Sequence, residues 1–472
     1  MYCKEPTVSI PTDNPFQNDL FGLSEFAVML SNLSEHLSEQ GAVIGINADW
    51  GVGKTTFLKM WEQSLKNQGF TTLFFNAWKS DFHEDPLIAL MGEFKKKFQK
   101  SSNIDSFISS GAKLVSRYGF SALKGILRNK LGVDIDEVVD DAADMVSQAI
   151  NEYQDREDTL EDFKKELAEL VADPQNEKSV VVIIDELDRC NPHFAVRLLE
   201  RIKHLFEVPN IIFVLGLNIN QLQYAVQGFY GSTNIDGREY LRRFIDLEIS
   251  LPKPNTESFA KHLFKELGFI QMFQAHNNAG WVENRDKEGT LFIDAFVDML
   301  TAYKLNLRLI IRIFTFMRLA LAGAPKNERI DADLFCFLCF LKFILPEVYI
   351  KIENQNYSLQ QLLDEIERVF PSTVLRQTSR FGTQRRMAWL TAKLIVFYNS
   401  IGINSQRVDD NFKGTPVQNK AYSSYLLTPQ IISSETLNEA LSYYEQRDGF
   451  GYENGLRPIF QTINLARNIR LQ

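Results

Sequence analysis

The sequence predicts an α/β fold with a parallel central sheet covered by helices on both faces. Short apolar segments of the buried-strand type alternate with stretches whose apolar residues have helical spacing. The composition also predicts a folded protein. A 472-residue chain with 45% hydrophobic residues can bury a sizeable core, which excludes wholesale disorder. The predicted strands are Ala42–Asn47, Thr71–Trp78, Val180–Ile184, Ile211–Gly216 and Ile245–Leu251.

Helical segments fill the intervals between these strands. Apolar residues three and four apart predict helices over 20–40 and Phe57–Lys66, on either side of the first strand. Residues 101–178 keep a helical pattern without a strand, so we expect an inserted helical hairpin there. After Pro254 the pattern is helical to the end of the sequence.

The acidic residues are concentrated in the second part of this insertion. The chain has a formal net charge of −9, and residues 134–173 contain 15 acidic and 3 basic residues, a net of −12 that leaves +3 for the remainder. The segment is interpreted either as a solvated helix face or as a docking surface for a basic partner. The overall acidity argues against an architectural nucleic-acid binder, whose affinity comes mostly from Lys and Arg.

The sequence also indicates where the protein resides. Four cysteines in a chain of this length exclude a disulfide framework and indicate a reduced environment. Residues 1–19 lack the apolar run of a secretory signal, and the apolar segment Leu334–Ile350 carries Lys342 and Glu347 and is shorter than the ~20 residues of a membrane helix. We therefore expect a cytoplasmic protein without a membrane span. Peripheral membrane contact through Phe107–Val133 is an alternative.

A glycine-rich segment between the first strand and the next helix has the pattern of a phosphate-binding loop. Glycines let successive backbone N–H groups converge on phosphate oxygens, the lysine can reach the β- and γ-phosphates, and the threonine hydroxyl after it can ligate Mg²⁺. A glycine-rich turn without a ligand is the alternative, because Ala48 stands where the strict pattern has glycine. The predicted nucleotide-binding residues are Asp49, Trp50, Gly51, Val52, Gly53, Lys54, Thr55 and Thr56.

Two acidic residues follow the third predicted strand. Asp185 would lie at the carboxyl edge of the sheet beside the glycine-rich loop, where it can hold Mg²⁺ together with Thr55. Glu186 is then a candidate general base that polarises the attacking water. Caps for the following helix are the alternative role of both acids. Asp188 and Arg189 are interpreted as a structural ion pair rather than as catalysts.

Four stretches of the chain together form a recognisable set of motifs. They are Trp50–Thr55, Phe75–Lys79 with Asp85 and Pro86, Ile184–Cys190, and Tyr240–Ile245. The set resembles the KAP family of P-loop NTPases, in the additional-strand branch that includes AAA+ and STAND proteins, with Glu186 where the family usually has Asp. Similarity extends over about residues 10–350 and implies a P-loop NTPase with a parallel sheet, a helical insertion between Walker A and Walker B, and helical C-terminal regions.

The resemblance implies a division of the chain and further site residues. Asn218 stands where the family often has a sensor-like Asp, Arg308 resembles an arginine that reaches the nucleotide from a helical lid, and Arg242 and Arg243 follow the sheet where related ATPases offer an arginine to a neighbouring subunit. The implied segments are 1–100 and 179–254 for the core, 101–178 for the insertion, 255–354 for the lid and 355–472 for an accessory region.

The resemblance therefore implies a Mg²⁺-dependent ATPase that acts as a switch or assembly motor, as a homo-oligomer or in a complex with another protein. Bacterial family members are linked to phage exclusion, which implies a role in anti-phage defence. Two alternatives stay open. One is a nucleotide-gated binding module with little turnover. The other, not favoured, is a nucleic-acid-stimulated ATPase that uses the basic cluster Arg376, Arg380, Arg385 and Arg386.

Overall fold

The chain folds into two compact units, Val8–Lys253 and a second that comprises Pro254–Gln472, and each is described by itself. The structure is a computed structural model. The residues that it describes are 8–83, 85–118, 141–172, 178–205, 208–276, 296–325, 330–370, 381–402, 429, 432–445 and 456–466.

The unit Val8–Lys253 is built on a five-stranded, entirely parallel sheet with the strand order β2-β3-β4-β1-β5. β4 lies between the strand before the glycine-rich loop and the strand that ends in Asp185. The α/β fold class is therefore confirmed. The strands are β1 (Ala42–Asn47), β2 (Thr71–Asn76), β3 (Val180–Asp185), β4 (Ile211–Leu217) and β5 (Leu247–Ser250).

Burial explains why these strands are continuous apolar runs rather than alternating ones. Every residue of β3 and β4 is buried, as expected for central strands of a parallel sheet with helices on both faces. β5 lies at one edge, is mostly exposed and carries Glu248, which Asn47 and Arg238 contact. Charged residues on a short edge strand disfavour pairing with another chain.

Helices cover both faces of this sheet. Side-chain caps begin several of them, because Asp and Asn oxygens accept hydrogen bonds from otherwise unpaired N–H groups of the first turn. Asp85 accepts from Leu87 and Asn191 accepts from His193. The helices are α1 (Ser24–Leu37), α2 (Lys54–Asn67), α3 (Ala77–Ser80), α4 (Pro86–Lys97), α5 (Ile104–Tyr118), α6 (Asp141–Val171), α7 (Pro192–Ile202), α8 (Ile219–Tyr230) and α9 (Gly237–Leu241).

The described part of the predicted insertion consists of the helices α5 and α6 with a few non-helical residues at its ends. Phe107 of α5 packs against Phe94 of α4, with ring centroids 5.5 Å apart, and against Phe163 of α6, at 5.1 Å. The insertion is thereby attached to the core of the sheet unit. Carboxylates of residues 155–162 lie on the exposed side of α6, as expected for a solvated face. Residues 119–140, which include part of Phe107–Val133 and of the acidic segment, lie outside the described residues.

Two predicted strands are too long: β5 covers only Leu247–Ser250 of the predicted Ile245–Leu251, and β2 is shorter at its carboxyl end. β2 ends at Asn76 instead of Trp78, and Ala77 begins the short helix α3. The reason is that the Asn76 side chain accepts a hydrogen bond from the Lys79 N–H at 2.9 Å and so caps a helical turn. The apolar residues Ala77 and Trp78 had suggested continuation of the strand.

The regular secondary structure described in the unit Pro254–Gln472 is helical, and it includes residues 296–302. Its core contains Cys336 and Cys339, both buried. None of the described helices combines the length and apolar composition that crossing a membrane requires. The helices are α10 (Thr256–Glu266), α11 (Phe269–His276), α12 (Leu307–Gly323), α13 (Ala332–Ile344), α14 (Pro346–Glu353), α15 (Leu359–Val369), α16 (Phe381–Gly402), α17 (Ser434–Glu445) and α18 (Arg457–Leu465).

A buried ion cluster joins two helices of this second unit. Lys393 of α16 lies 2.7 Å from carboxylate oxygens of both Asp331 and Asp333, at the start of α13. Burial works against the charge on Lys393, but the two carboxylates more than offset it and raise the pKa of the ammonium group. Lys393 therefore stays charged, and its contacts with the two carboxylates tie α16 to the start of α13.

Candidate functional site

The predicted site residues of the sheet unit lie at the carboxyl edge of the sheet. Strand register places Asn76 of β2, Asp185 of β3 and Gly216 of β4 in one row, and the glycine-rich loop follows β1 at the same edge. The first N–H of the loop, from Ala48, donates to the Leu217 carbonyl at 3.0 Å and fixes the loop beside β4. Ligands of open α/β sheets bind at this edge.

The loop has the backbone of an anion-binding turn. Gly51 and Gly53 have φ values of 79° and 95°, in the left-handed region that favours glycine. Gly53 precedes α2 and makes no side-chain cap, so the N–H groups at the start of α2 are available to a ligand. Val52, Thr55 and Thr56 are each partly buried.

Lys54, the first residue of α2, is 8% exposed and points at Asp188. Its Nζ atom lies 3.7 Å from Asp188 Oδ1, and neither atom has a hydrogen-bond partner among the described residues. Burial lowers the pKa of Lys54, although the carboxylates of Asp188 and Asp185 oppose the shift. The other oxygen of Asp188, Oδ2, accepts a hydrogen bond from the indole N–H of Trp50.

Asp185 ends β3 as a completely buried carboxylate. Neither of its oxygens makes a hydrogen bond of standard geometry with a described residue. Burial raises the pKa of Asp185, and the nearby Thr55 hydroxyl and Lys54 ammonium oppose that shift. Because an unpartnered buried carboxylate is costly, the arrangement fits a cation held by Asp185 and the Thr55 hydroxyl.

Gly216 leaves room for the Asp185 carboxylate. A Cβ atom at position 216 would lie 2.8 Å from Asp185 Oδ1 and 2.5 Å from Leu58 Cδ1. We expect Gly216→Ala to lower the free energy of unfolding by about 1–3 kcal/mol, as overpacked cores do. Urea unfolding measures this change.

The matched control is Gly92→Ala, because Gly92 lies in α4 with no atom within 4 Å of an added Cβ. That substitution is expected to stabilise the helix by about 0.5–1 kcal/mol. Equal effects of the two alanine variants would contradict the tight fit around Asp185.

Glu186 is held by two side chains. Its Oε2 accepts from Asn76 Nδ2 at 2.8 Å, and its Oε1 pairs with Arg189 Nη1 at 2.8 Å. The guanidinium of Arg189 also lies over the Trp78 ring, 5.6 Å from its centroid. Glu186 has a φ of 63°, an uncommon backbone conformation for a residue with a side chain. The carboxylate is therefore oriented and only partly exposed.

The structure differs from one prediction and from one alternative about the charged residues after β3. Asp188 and Arg189 do not pair with each other, because successive residues of the 3-10 turn Leu187–Arg189 point about a third of a turn apart. Neither Asp185 nor Glu186 caps the next helix, which Asn191 caps instead.

Asn218 is buried between the loop and α8. Its Oδ1 accepts from the N–H groups of Asn220 and Gln221, and its Nδ2 donates to Asp49 Oδ1 at 3.3 Å. The described contacts of Asn218 thus cap α8 and fix the start of the loop. A sensor role for this residue stays a prediction.

The predicted arginines are distributed over both units. Arg242 and Arg243 follow α9 and are exposed, and Arg242 pairs with Glu239 at 2.8 Å. Arg308 lies in the first turn of α12, where Asn306 accepts from the Leu309 N–H and caps the helix. Roles for all three arginines stay predictions.

The described part of the predicted basic cluster is engaged with carboxylates. Arg385 pairs with Glu439 at 2.9 Å and Arg386 with Asp298 at 3.0 Å. Arg376 and Arg380 lie outside the described residues. These contacts give no support to a nucleic-acid groove at this position.

Sequence reasoning missed the role of Asn76. The residue had been noted only as part of a family motif, yet its side chain contacts the candidate general base. A usable signal was present, since an Asn at the end of a strand next to the strand that bears the acids must lie at the same sheet edge.

The parallel sheet, the glycine-rich loop and the acids beside it define a P-loop NTPase. The family description "KAP family P-loop domain" matches residues 26–321, more than half of the sequence. The chain belongs to the KAP family. No curated protein matches it.

Several solved structures are similar to the chain at low identity. PCH-2 of C. elegans is 14% identical, with 69% of this chain and 68% of that chain covered and a TM-score of 0.32. The ORC2 protein of Aeropyrum pernix, in complexes with ADPNP and ADP, is 13% identical, with 91% and 95% covered and a TM-score of 0.33. Likeness at this level carries no conclusion about activity or partners.

Proposed function

We propose that this protein is a Mg²⁺-dependent ATPase whose nucleotide state drives a conformational or assembly change. The observation that carries the proposal is the convergence of buried polar atoms without hydrogen-bond partners beside the loop, Lys54 Nζ and both carboxylate oxygens of Asp185. Buried polar atoms are normally satisfied, so a set left open at a sheet edge supports a charged ligand there.

Each group of the set suits one part of Mg²⁺-ATP. The loop N–H groups and Lys54 suit phosphate oxygens, and the Asp185 carboxylate with the Thr55 hydroxyl would hold the metal ion. Bound Mg²⁺ neutralises charge on the phosphates during transfer. The described residues contain no group of three or more His, Cys, Asp or Glu side chains placed to bind a metal. The phosphates would therefore supply further ligands.

Asp185→Asn tests the metal part of this proposal. We expect wild-type affinity for ATP to increase when Mg²⁺ is added and the variant to lose most of that increase, because an amide is a weaker ligand than a carboxylate for a hard cation. Isothermal titration calorimetry with and without Mg²⁺ measures both affinities.

The matched control is Asp81→Asn, which also neutralises a carboxylate of the sheet unit. The Asp81 carboxylate accepts a hydrogen bond from the Asn191 N–H, and we place it outside the metal site. An Asp185→Asn variant with undiminished Mg²⁺ dependence would contradict the assignment of Asp185.

A nucleotide-gated binding module with little turnover is the second candidate function. The observation that favours it is the engagement of both Glu186 oxygens, since the contacts with Asn76 and Arg189 stabilise the ionised carboxylate and make it a weaker base toward water. Phosphate release during a long incubation with ATP separates the two functions.

Membership in the KAP family supports anti-phage defence as the process, with the protein acting in the cytoplasm as a homo-oligomer or in a complex with another protein. The exposed pair Arg242 and Arg243 would face a neighbouring subunit in such an assembly. Residues 134–173, where acidic side chains are concentrated, would offer a basic partner a docking surface.

A further inference from the structure

Asp188 contacts two residues of the glycine-rich loop, Trp50 before the glycines and Lys54 after them. Its side chain is only 1% exposed, Oδ2 accepts from the Trp50 indole, and Oδ1 faces Lys54 Nζ. We propose that Asp188 is a positioning residue that holds the loop without nucleotide and competes with phosphate for Lys54. The inference rests on the proposed nucleotide site.

The contact between Asp188 and Lys54 is loose for a buried ion pair. At 3.7 Å it exceeds hydrogen-bond distance, and the ammonium, which has three donors, has no hydrogen-bond partner among the described residues. A buried ion pair is stabilising only when hydrogen bonds satisfy its charges. Lys54 is therefore held near Asp188 mainly by charge, at a distance longer than a standard hydrogen bond, and can move to a stronger acceptor.

Phosphate oxygens are such an acceptor. They carry more negative charge than one carboxylate and lie where the loop N–H groups converge. When Lys54 turns toward them, Asp188 keeps the hydrogen bond from Trp50 and does not become an isolated buried charge. The Trp50 indole therefore reduces the cost of releasing Lys54.

The position of Asp188 links this exchange to the candidate base. Asp188 lies two residues after Glu186, on the turn Leu187–Arg189, whereas Arg189 of the same turn pairs with Glu186. The residue that faces Lys54 and the residue that pairs with Glu186 thus lie on one short turn.

Asp188→Asn tests the proposal by whether it lowers or raises Kd for ADP. The asparagine oxygen still accepts from Trp50 but no longer attracts Lys54, so we expect Kd for ADP to fall about tenfold, the factor that corresponds to about 1.4 kcal/mol. A residue with a merely structural role would give an unchanged or higher Kd, and either result would overturn the proposal. Calorimetry with ADP and with a non-hydrolysable ATP analogue provides the measurement.

Asp81→Asn is the matched control for charge. It removes one negative charge from the same unit, on a side chain that accepts a hydrogen bond from the Asn191 N–H instead of pairing with Lys54. We expect less than a twofold change in Kd for ADP. An equal decrease of Kd for ADP in both variants would show that any nearby negative charge repels the phosphates, and it would also overturn the proposal.

A measurement on the wild-type chain covers the case in which Asp188→Asn does not fold. The indole N–H signal of Trp50, assigned by its absence in Trp50→Phe, should shift when ADP is added, because Lys54 leaves the shared carboxylate. An unshifted signal in a chain that binds ADP overturns the inference alone. A wild-type chain that binds no nucleotide overturns the proposed function instead.

Discussion

Replacement of Lys54 by alanine is expected to raise Kd for ATP at least thirtyfold and to abolish measurable turnover. The variant removes the buried ammonium of the loop, and truncating one partner of a buried charge pair costs about 2–5 kcal/mol in binding. It also removes the positive charge that acts on the Asp185 and Asp188 carboxylates. Calorimetry for binding and phosphate release for turnover measure the two effects.

Lys59→Ala is the matched control, because Lys59 lies on the same helix with an exposed side chain. It should bind ATP as the wild type does. Unchanged ATP affinity in Lys54→Ala would contradict the whole site assignment. Plaque assays on cells that produce either variant extend the comparison to defence, where only Lys54→Ala should lose any protection that the wild type gives.

Glu186→Gln is expected to lower kcat by about 10²–10⁴ while leaving ATP bound. Glutamine keeps an oxygen for the hydrogen bond from Asn76 or Arg189, so the turn should persist, but it cannot accept the proton of the attacking water. Single-turnover phosphate release, compared with calorimetric Kd, separates the chemical step from binding.

The control for this variant is Glu25→Gln, in the exposed first turn of α1. Its turnover should equal that of the wild type. If Glu186→Gln hydrolysed ATP at the wild-type rate, Glu186 would not be the base. Absence of turnover in the wild type itself, with ADP and ATP bound, would favour the nucleotide-gated binding module.

Much of the sheet follows from local sequence. β1 was predicted with its observed bounds because a continuous apolar run lies between Gly41 and the glycine-rich loop. Asp185 could be placed at the sheet edge because a buried strand of a parallel sheet must end there. β2 was predicted too long because the Asn76 cap depends on backbone geometry that apolar periodicity does not contain.

The contacts inside the site could not be predicted in the same way. Lys54 and Asp188 are far apart in sequence, and only the sheet order brings the loop beside the turn after β3. Adjacent charges in the sequence suggested that Asp188 pairs with Arg189, whereas the turn directs them to different partners. Side-chain direction on a short turn depends on backbone angles such as the positive φ of Glu186.

The strand order also has a consequence for how the chain folds during synthesis. β1, which precedes the phosphate loop, pairs with β4 and β5. During synthesis it can therefore pair with a neighbouring strand only after β4, which begins at Ile211, has left the ribosome. The insertion lies between β1 and β4 in the chain, so it delays the pairing of these two strands. Each doubling of a loop costs only about 0.6 kcal/mol in closure entropy, so the insertion weakens the folded state little. The insertion mainly lowers the folding rate, because strands far apart in sequence pair slowly. Until then β1 is unpaired and can be bound by chaperones.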